Sequence, residues 1–183
     1  DKYVFLTKAP VSCVILTMAI PTIISMLITS AYNVADTYFV GRINTQSTAA
    51  VGIAFSMMSV VQAVGFFFGH GSGNFMSRSL GARCVRRAQM MATTGLVLSW
   101  MTGCVVAIIG LAFLEPIAIG LGSTPTILPY AKDYLGIVLL GVPFMTTSFT
   151  LNNQMRFQGN AMYAMFGVLS GAVLNILLDP LLI

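Results

Sequence analysis

Five long apolar stretches restrict what this chain can fold into more than any other feature of its sequence. They lie near residues 11–37, 48–76, 90–114, 133–155 and 161–183. A helix of about 20 apolar residues spans the roughly 30 Å hydrocarbon core of a bilayer, so each stretch is long enough to cross it. Of the 183 residues 57% are hydrophobic and only 8% are charged, which is too apolar for one water-soluble core. We therefore predict an all-α fold, a polytopic bundle of membrane helices.

Basic residues concentrate on alternate connections between these stretches. The seven on one set of connections are Lys2, Lys8, Arg78, Arg83, Arg86, Arg87 and Arg156. The other set holds only Arg42 and Lys132. The positive-inside rule turns this partition into an orientation with the amino terminus in the cytoplasm. No continuous basic face of the kind that binds nucleic acid is visible, so the expected surroundings are membrane lipid and no nucleic acid.

Two carboxylates lie in or beside the apolar stretches, Asp36 in "SAYNVADTYFVGR" and Asp179 in "NILLDPLLI". Both follow the preceding cytoplasmic positive charge by similar lengths of helix, which predicts a similar depth in the outer half of the membrane. A carboxylate there costs about 2.5 to 3.5 kcal/mol on insertion scales, so it normally faces a bundle interior or an aqueous cavity and marks an ion or substrate route. Its position alone is equally compatible with Asp36 as an interfacial residue at a helix end.

The neighbours of these carboxylates are oxygen donors. Asn175 precedes Asp179 by four residues and shares its helix face, and Tyr32 has the same relation to Asp36. Pro180 removes a backbone hydrogen bond and can expose a carbonyl oxygen nearby. Such ligands suit a small cation, or a proton held by a desolvated carboxylate. We predict a cation or proton coupling site at these four side chains, with sodium at Asp36, Asn175 and Asp179 as one occupant and no other metal site. Asn175 is equally compatible with interhelical hydrogen bonding.

Other residues are candidates for a substrate cavity. They are the amide side chains of Asn152, Asn153 and Gln62 and the thioether of Met58. The two asparagines can line a polyspecific cavity or hold the cytoplasmic end of the fourth helix, and the methionine can adapt to substrates or fill gaps between helices.

A glycine run in the second stretch, "GFFFGHGSGN", predicts close helix packing. Gly65, Gly69 and Gly73 recur every four residues, and the run lacks the strand and the Lys-Ser/Thr pair of a phosphate loop. His70 lies inside it, either as a structural hydrogen-bond donor or as a proton relay.

Four segments resemble, in order and spacing, the amino-terminal half of multidrug and toxic compound extrusion (MATE) transporters. They are "AIPTIISMLITSAYNVADTYFVGR", "GHGSGNFMSRSLGARCVRRA", "QMRFQGNA" and "GAVLNILLDPLLI". The resemblance covers nearly the whole chain.

The resemblance implies a transporter, not an enzyme, with twelve helices in two six-helix lobes. Such proteins use a proton or sodium gradient to expel cationic amphipathic compounds through a cavity that opens alternately to each side. Asp36 matches the family's first-helix aspartate, Tyr32 matches the tyrosine one turn before it, and Asn175 and Asp179 match the fifth-helix pair of the coupling site. H+ or Na+ is then the coupling ion, and no cofactor is expected. A multi-pass location in the cell (cytoplasmic) membrane of a bacterium follows.

The resemblance also implies that residues 1–183 form an incomplete amino-terminal transmembrane lobe with five of its six helices. The sixth helix and the carboxy-terminal lobe would be the missing partners, and this segment alone is not expected to transport.

Two alternatives to a drug antiporter remain. A lipid-linked sugar flippase of the same superfamily would share the lobe architecture, although such flippases tend to have cationic cavities. An intramembrane aspartyl protease also needs two carboxylates. Such enzymes carry Tyr-Asp and Gly-x-Gly-Asp motifs, which the residues around Asp36 and Asp179 do not match.

Overall fold

The computed structural model describes residues 9–41 and 45–182; for some of them, among them Asp36 and Asp179, it describes the backbone alone. Within these ranges the chain forms six helices and no strand, which confirms the all-α prediction. The helices are α1 (Val11–Gly41), α2 (Thr45–Gly81), α3 (Val85–Ala112), α4 (Leu114–Gly120), α5 (Leu128–Phe157) and α6 (Ala161–Leu182).

Four helices are long and apolar enough to cross a membrane, and each overlaps one of the first four predicted spans. The segments concerned are Val11–Ala35, Thr48–Gly81, Val85–Ala112 and Leu128–Phe157. The third and fourth begin more than one turn earlier than predicted. Much of their apolar surface faces outward, as expected for helices whose solvent is lipid.

The fifth predicted span corresponds to α6, which has 22 residues. Its apolar part within the described residues, Ala161–Asn175, is shorter than the other four segments, so the fifth span stays a prediction. The short helix α4 was not predicted, and it lies in the connection between α3 and α5.

Helices α2, α3 and α5 pack together most extensively, and glycines allow their close approach. Gly65, Gly69 and Gly73 of α2 face, in this order, Phe149, Asn153 and Phe157 of α5. A Cβ atom at Gly69 would lie only 2.8 Å from the Cβ of Asn153, so the helices could not approach this closely with alanine there. The predicted role of the glycine run in helix packing is confirmed.

Buried hydrogen bonds join the same three helices. The hydroxyl oxygens of Ser99 on α3 and Thr150 on α5 lie 2.7 Å apart, and Thr150 also donates to the carbonyl oxygen of Gly65 on α2 at 3.1 Å. One turn along α5, Gln154 Nε2 donates to Ser72 Oγ of α2 at 2.9 Å and to a main-chain carbonyl of α3 at 3.1 Å. Because hydrocarbon offers no alternative partners to these groups, α2, α3 and α5 form one connected three-helix unit.

Helices α1 and α6 form a second unit. They contact each other more than they contact the three-helix unit, which they meet mainly along limited parts of α2 and α5. The turn from α5 into α6 contains Gly159 with φ at +75°, a left-handed conformation that favours glycine. This turn reverses the chain, so α6 returns alongside α5 and carries the Asn175 region to the opposite end of the bundle.

That opposite end, formed by residues 113–127 and the adjoining helix termini, carries an exposed ion pair. Lys132 Nζ of α5 donates to Glu115 Oε2 of α4 at 2.8 Å. This hydrogen bond, together with the lysine charge, lowers the pKa of Glu115 below its ordinary value of 4.5. The pair therefore stabilises α4 fully above pH 4.5, and the contribution disappears as the pH falls through the lowered pKa. The contribution is small because both side chains are exposed.

Candidate functional site

A cleft of about 1170 Å³ separates the α1/α6 pair from the three-helix unit. Its α1 side extends from Met18 to Tyr32, and its α6 side from Ala161 to Asn175. Each of these stretches rises about 21 Å along its helix, so the cleft follows roughly two-thirds of the hydrocarbon thickness. Residues of α2 and α5 form the facing wall.

The two walls differ in chemistry. Four phenylalanines dominate the wall formed by α2 and α5: Phe66, Phe144, Phe149 and Phe157. The rings of Phe66 and Phe149 meet edge to face with centroids 6.0 Å apart. The α1 wall presents hydroxyl groups instead, those of Thr22, Ser25, Thr29 and Ser30, together with two methionines. Rings, thioethers and hydroxyls together suit a molecule that is apolar in body and polar in part.

Tyr32 and Asn175, two predicted coupling residues, line this same cleft from the neighbouring helices α1 and α6. Each lies one turn before an aspartate of the predicted coupling site, Tyr32 before Asp36 and Asn175 before Asp179. Residues four apart share a helix face. The side chains of both aspartates lie outside the described residues, so their position in the cleft stays a prediction. The α1–α6 packing supplies the pairing of helices that the shared site requires.

No metal centre of the usual kind is formed by the part of the chain that the structure describes. There, no three His, Cys, Asp or Glu side chains come together in a group that could hold a metal ion. The predicted sodium ligands depend on Asp36 and Asp179, whose side chains are not described.

Three of the four predicted cavity residues line the cleft, and the fourth does not. Gln62, Asn152 and Asn153 belong to its wall. Met58 is half-buried on α2 and does not line the cleft. The first α2 residue that lines it is Gln62, about one turn further along the helix.

Asn152 connects two helices at the end of the cleft near the α5–α6 turn. Its Nδ2 donates to the carbonyl oxygen of Ala164 on α6 at 3.0 Å, and its Oδ1 accepts from Arg156 Nε at 3.0 Å. The amide therefore ties α5 to α6 and orients the arginine. Asn153 instead donates to the carbonyl oxygen of Phe149 on its own helix, at 2.8 Å.

Arg156 is a cleft residue that sequence reasoning missed. The basic-residue pattern places it on a connection between spans, whereas in the structure it lies in the last turn of α5, half-buried, and lines the cleft. The spacing of four residues from Asn152 was the signal that could have located it on the cleft face. The cleft thus has a guanidinium near one end and the Tyr32–Asn175 pair near the other.

His70 lines the cleft between two aromatic rings. Its ring stands edge-on to Phe66 and Phe157, with centroids 5.4 and 5.6 Å away. Its Nδ1 lies 2.9 Å from the carbonyl oxygen of Phe66, and because a carbonyl can only accept, Nδ1 carries the proton. This contact is a structural hydrogen bond, and the proton-relay alternative for His70 stays untested.

Comparison with known protein families identifies the architecture. A protein-family model, MatE, matches residues 21–181. The chain belongs to the MatE family. The segments that resembled MATE transporters all overlap the matched range.

Known relatives of this MatE chain include export proteins and structurally similar transporters. The chain is 32% identical over 166 residues to the multidrug export protein MepA of Staphylococcus haemolyticus, an alignment that covers 90% of this chain and 37% of that protein. It matches an outward-facing structure of a multidrug resistance MATE family transporter with a TM-score of 0.91 and 29% identity, over 98% of this chain and 40% of that one. A second structure, with a TM-score of 0.90 and 29% identity at the same coverage, is a MOP superfamily transporter of Pyrococcus furiosus. It is described as having a binding pocket of reversed polarity that suggests a different function.

The chain spans about two-fifths of the length of the proteins it matches. Its helices correspond to one lobe, the amino-terminal one, of a MATE transporter. The family is one of transporters and not of enzymes, which excludes the intramembrane aspartyl protease as an alternative function.

Proposed function

We propose that the full-length protein is a secondary active antiporter that exports cationic amphipathic drugs or toxins in exchange for protons or sodium ions. One observation carries this proposal: Tyr32 and Asn175 line a single cleft from the neighbouring helices α1 and α6, each one turn before an aspartate. The names of the relatives support the multidrug substrate class.

In this proposal the two ends of the helix pair have different tasks. The phenylalanines and methionines of the cleft hold the apolar body of the substrate, and its polar groups meet the hydroxyls of α1. Asp36 and Asp179 bind the coupling cation, assisted by the Tyr32 hydroxyl and the Asn175 amide oxygen. Transport follows if the affinity of these carboxylates changes as the cleft alternates between a hydrated and a closed form.

We favour protons as the coupling ion, because one desolvated carboxylate suffices to bind a proton. A sodium ion needs several oxygen ligands, and Asp36, Asn175, Asp179 and Tyr32 offer an incomplete set. Proteoliposomes that contain the full-length protein are expected to export a cationic dye when only a pH gradient is imposed, in sodium-free buffer. Export driven by a sodium gradient alone, with a protonophore present, would show that sodium is the coupling ion. Protein-free liposomes provide the background.

A lipid-linked sugar flippase is the second candidate, and Arg156 is the observation that favours it. Its half-buried guanidinium lines the cleft and could bind a pyrophosphate. The similar Pyrococcus furiosus transporter, whose binding pocket of reversed polarity suggests a different function, supports this second candidate. The same vesicles can be tested with a fluorescent lipid-linked sugar. Translocation of this sugar without export of the dye would contradict the antiporter proposal and support the flippase.

The orientation of the protein in the cell membrane is also proposed, with the amino terminus and the α2–α3 turn in the cytoplasm. Cys84 is exposed in that turn, and Thr124 is exposed in the connection between α4 and α5. With all other cysteines replaced, Cys84 is expected to resist a membrane-impermeant thiol reagent applied to intact cells and to react after lysis. A Thr124→Cys variant without Cys84 should react from outside. The reverse pattern would invert the topology.

A further inference from the structure

The turn between α2 and α3 carries a group of arginines that the cleft does not use. Arg78 lies in the last turn of α2, and Arg86 and Arg87 lie in the first turn of α3. These three residues, the arginine patch, are all exposed, and Arg83 lies in the turn between them. None of the three makes an ion pair in the part of the chain that the structure describes. The sequence contains no Asp or Glu between Asp36 and Glu115, so no acidic residue close in sequence compensates the charge of the patch.

The two ends of the bundle differ in whether acidic side chains balance their basic residues. At the opposite end, the charge of Lys132 is balanced by its ion pair with Glu115. At the patch, the first turn of α3 contains no acidic residue, and the positive end of the α3 dipole is offset by the negative end of the α2 dipole, so the arginine charges themselves set the potential. A surface with this potential attracts anions.

The patch borders directly on exposed apolar surface. Phe75 precedes Arg78 by three residues on α2 and is 47% exposed, and Met90 follows Arg86 by four residues on α3 and is 63% exposed. Residues three or four apart share a helix face, so each guanidinium lies about one turn from an exposed apolar side chain. An acyl chain that covers Phe75 or Met90 brings its phosphate beside Arg78 or Arg86, at the depth of the headgroups.

We propose that the arginine patch is a binding site for anionic phospholipids of the leaflet that meets this end of the bundle. A guanidinium donates two parallel hydrogen bonds to a phosphate, which makes arginine well suited to this ligand. The adjacent apolar surface is what selects a membrane lipid over a soluble phosphate. The proposal does not depend on the substrate or on the coupling ion of the transporter.

Native mass spectrometry of the full-length protein in detergent tests the proposal by lipid titration. Phosphatidylglycerol is compared with phosphatidylcholine of the same acyl chains. The wild type is expected to bind phosphatidylglycerol more tightly, and each arginine removed should weaken its binding about fivefold, so that Arg78→Gln/Arg86→Gln/Arg87→Gln loses roughly 100-fold. The triple lysine variant should retain most of the preference because it keeps the charge. Lys132→Gln, at the opposite end, is the matched control.

Three results would overturn the proposal. The first is phosphatidylglycerol binding by the triple glutamine variant within twofold of wild type, and the second is an equal loss in Lys132→Gln. The third is displacement of phosphatidylglycerol by inorganic phosphate at equal concentration, which would mean that the acyl chain contributes nothing. If the triple variant does not insert into the membrane, the exposed single substitution Arg86→Gln decides, with about fivefold weaker binding expected and unchanged binding contradicting the proposal.

Discussion

Replacing Asp36 by asparagine in the full-length protein is expected to reduce active drug export to the level of cells that lack the protein, and Asp179→Asn should do the same. An amide is nearly isosteric with the carboxylate, but it carries no charge and does not take up a proton in the physiological range. The coupling cation then has no binding site, whereas substrate can still enter the cleft. Efflux of a fluorescent cation from energised cells, with membrane insertion checked by fractionation, measures the effect.

The matched control for this experiment is Asp133→Asn. Asp133 is an exposed carboxylate near the start of α5, outside the cleft lining, and its substitution is expected to leave export unchanged. Wild-type export by Asp36→Asn or by Asp179→Asn would refute the coupling role of that residue. Loss of export in all three variants would point to a general effect of removing negative charge.

Gly103→Ala is expected to destabilise the lobe, although alanine is normally the better helix former. Gly103 of α3 is buried against α5, where an added Cβ would collide with Thr146 Oγ1 and would lie 2.8 Å from the Cα atom of Pro143. Because the second neighbour is backbone, no side-chain rotation relieves the contact and the helices must separate. Overpacking of this kind costs about 1 to 3 kcal/mol, against a helix-propensity gain of about 0.5 to 1 kcal/mol.

Thermal unfolding in detergent measures this effect, with Gly141→Ala as the control. Gly141 lies on α5 two residues before Pro143, and a Cβ there would meet nothing within 4 Å. The control is expected to melt at or slightly above the wild-type temperature, and Gly103→Ala several degrees below it. Equal melting temperatures for the two variants would show that α3 and α5 are less closely packed than described.

The fold class was predictable from the sequence because the bilayer imposes a simple rule. A backbone in hydrocarbon must satisfy its own hydrogen bonds, so apolar stretches of sufficient length become helices whatever their neighbours are. The four spans from 11–35 to 128–157 follow from this rule, and the glycine repeat of α2 predicted close packing for the related reason that small residues let helices approach. The α4 helix escaped prediction because a seven-residue helix in a connection has no such constraint.

Assignment of side chains to particular surfaces required the tertiary structure. Asn152, Asn153 and Gln154 are three consecutive amides near the end of α5. In the structure the first two line the cleft, whereas Gln154 is buried in the three-helix unit and bonded to α2 and α3. Successive residues of a helix point about 100° apart, so neighbours in sequence face different partners.

The sequence by itself therefore determined the all-α class, the first four spans and the four-residue spacing that ties Tyr32 to Asp36 and Asn175 to Asp179. Only the tertiary structure decided that Tyr32 and Asn175 share one cleft, that Arg156 lines it, and that Met58 does not. The physical reason is that helix formation in lipid depends on local hydrogen bonding and apolar length. The rotation of each helix about its axis depends instead on packing against helices distant in sequence.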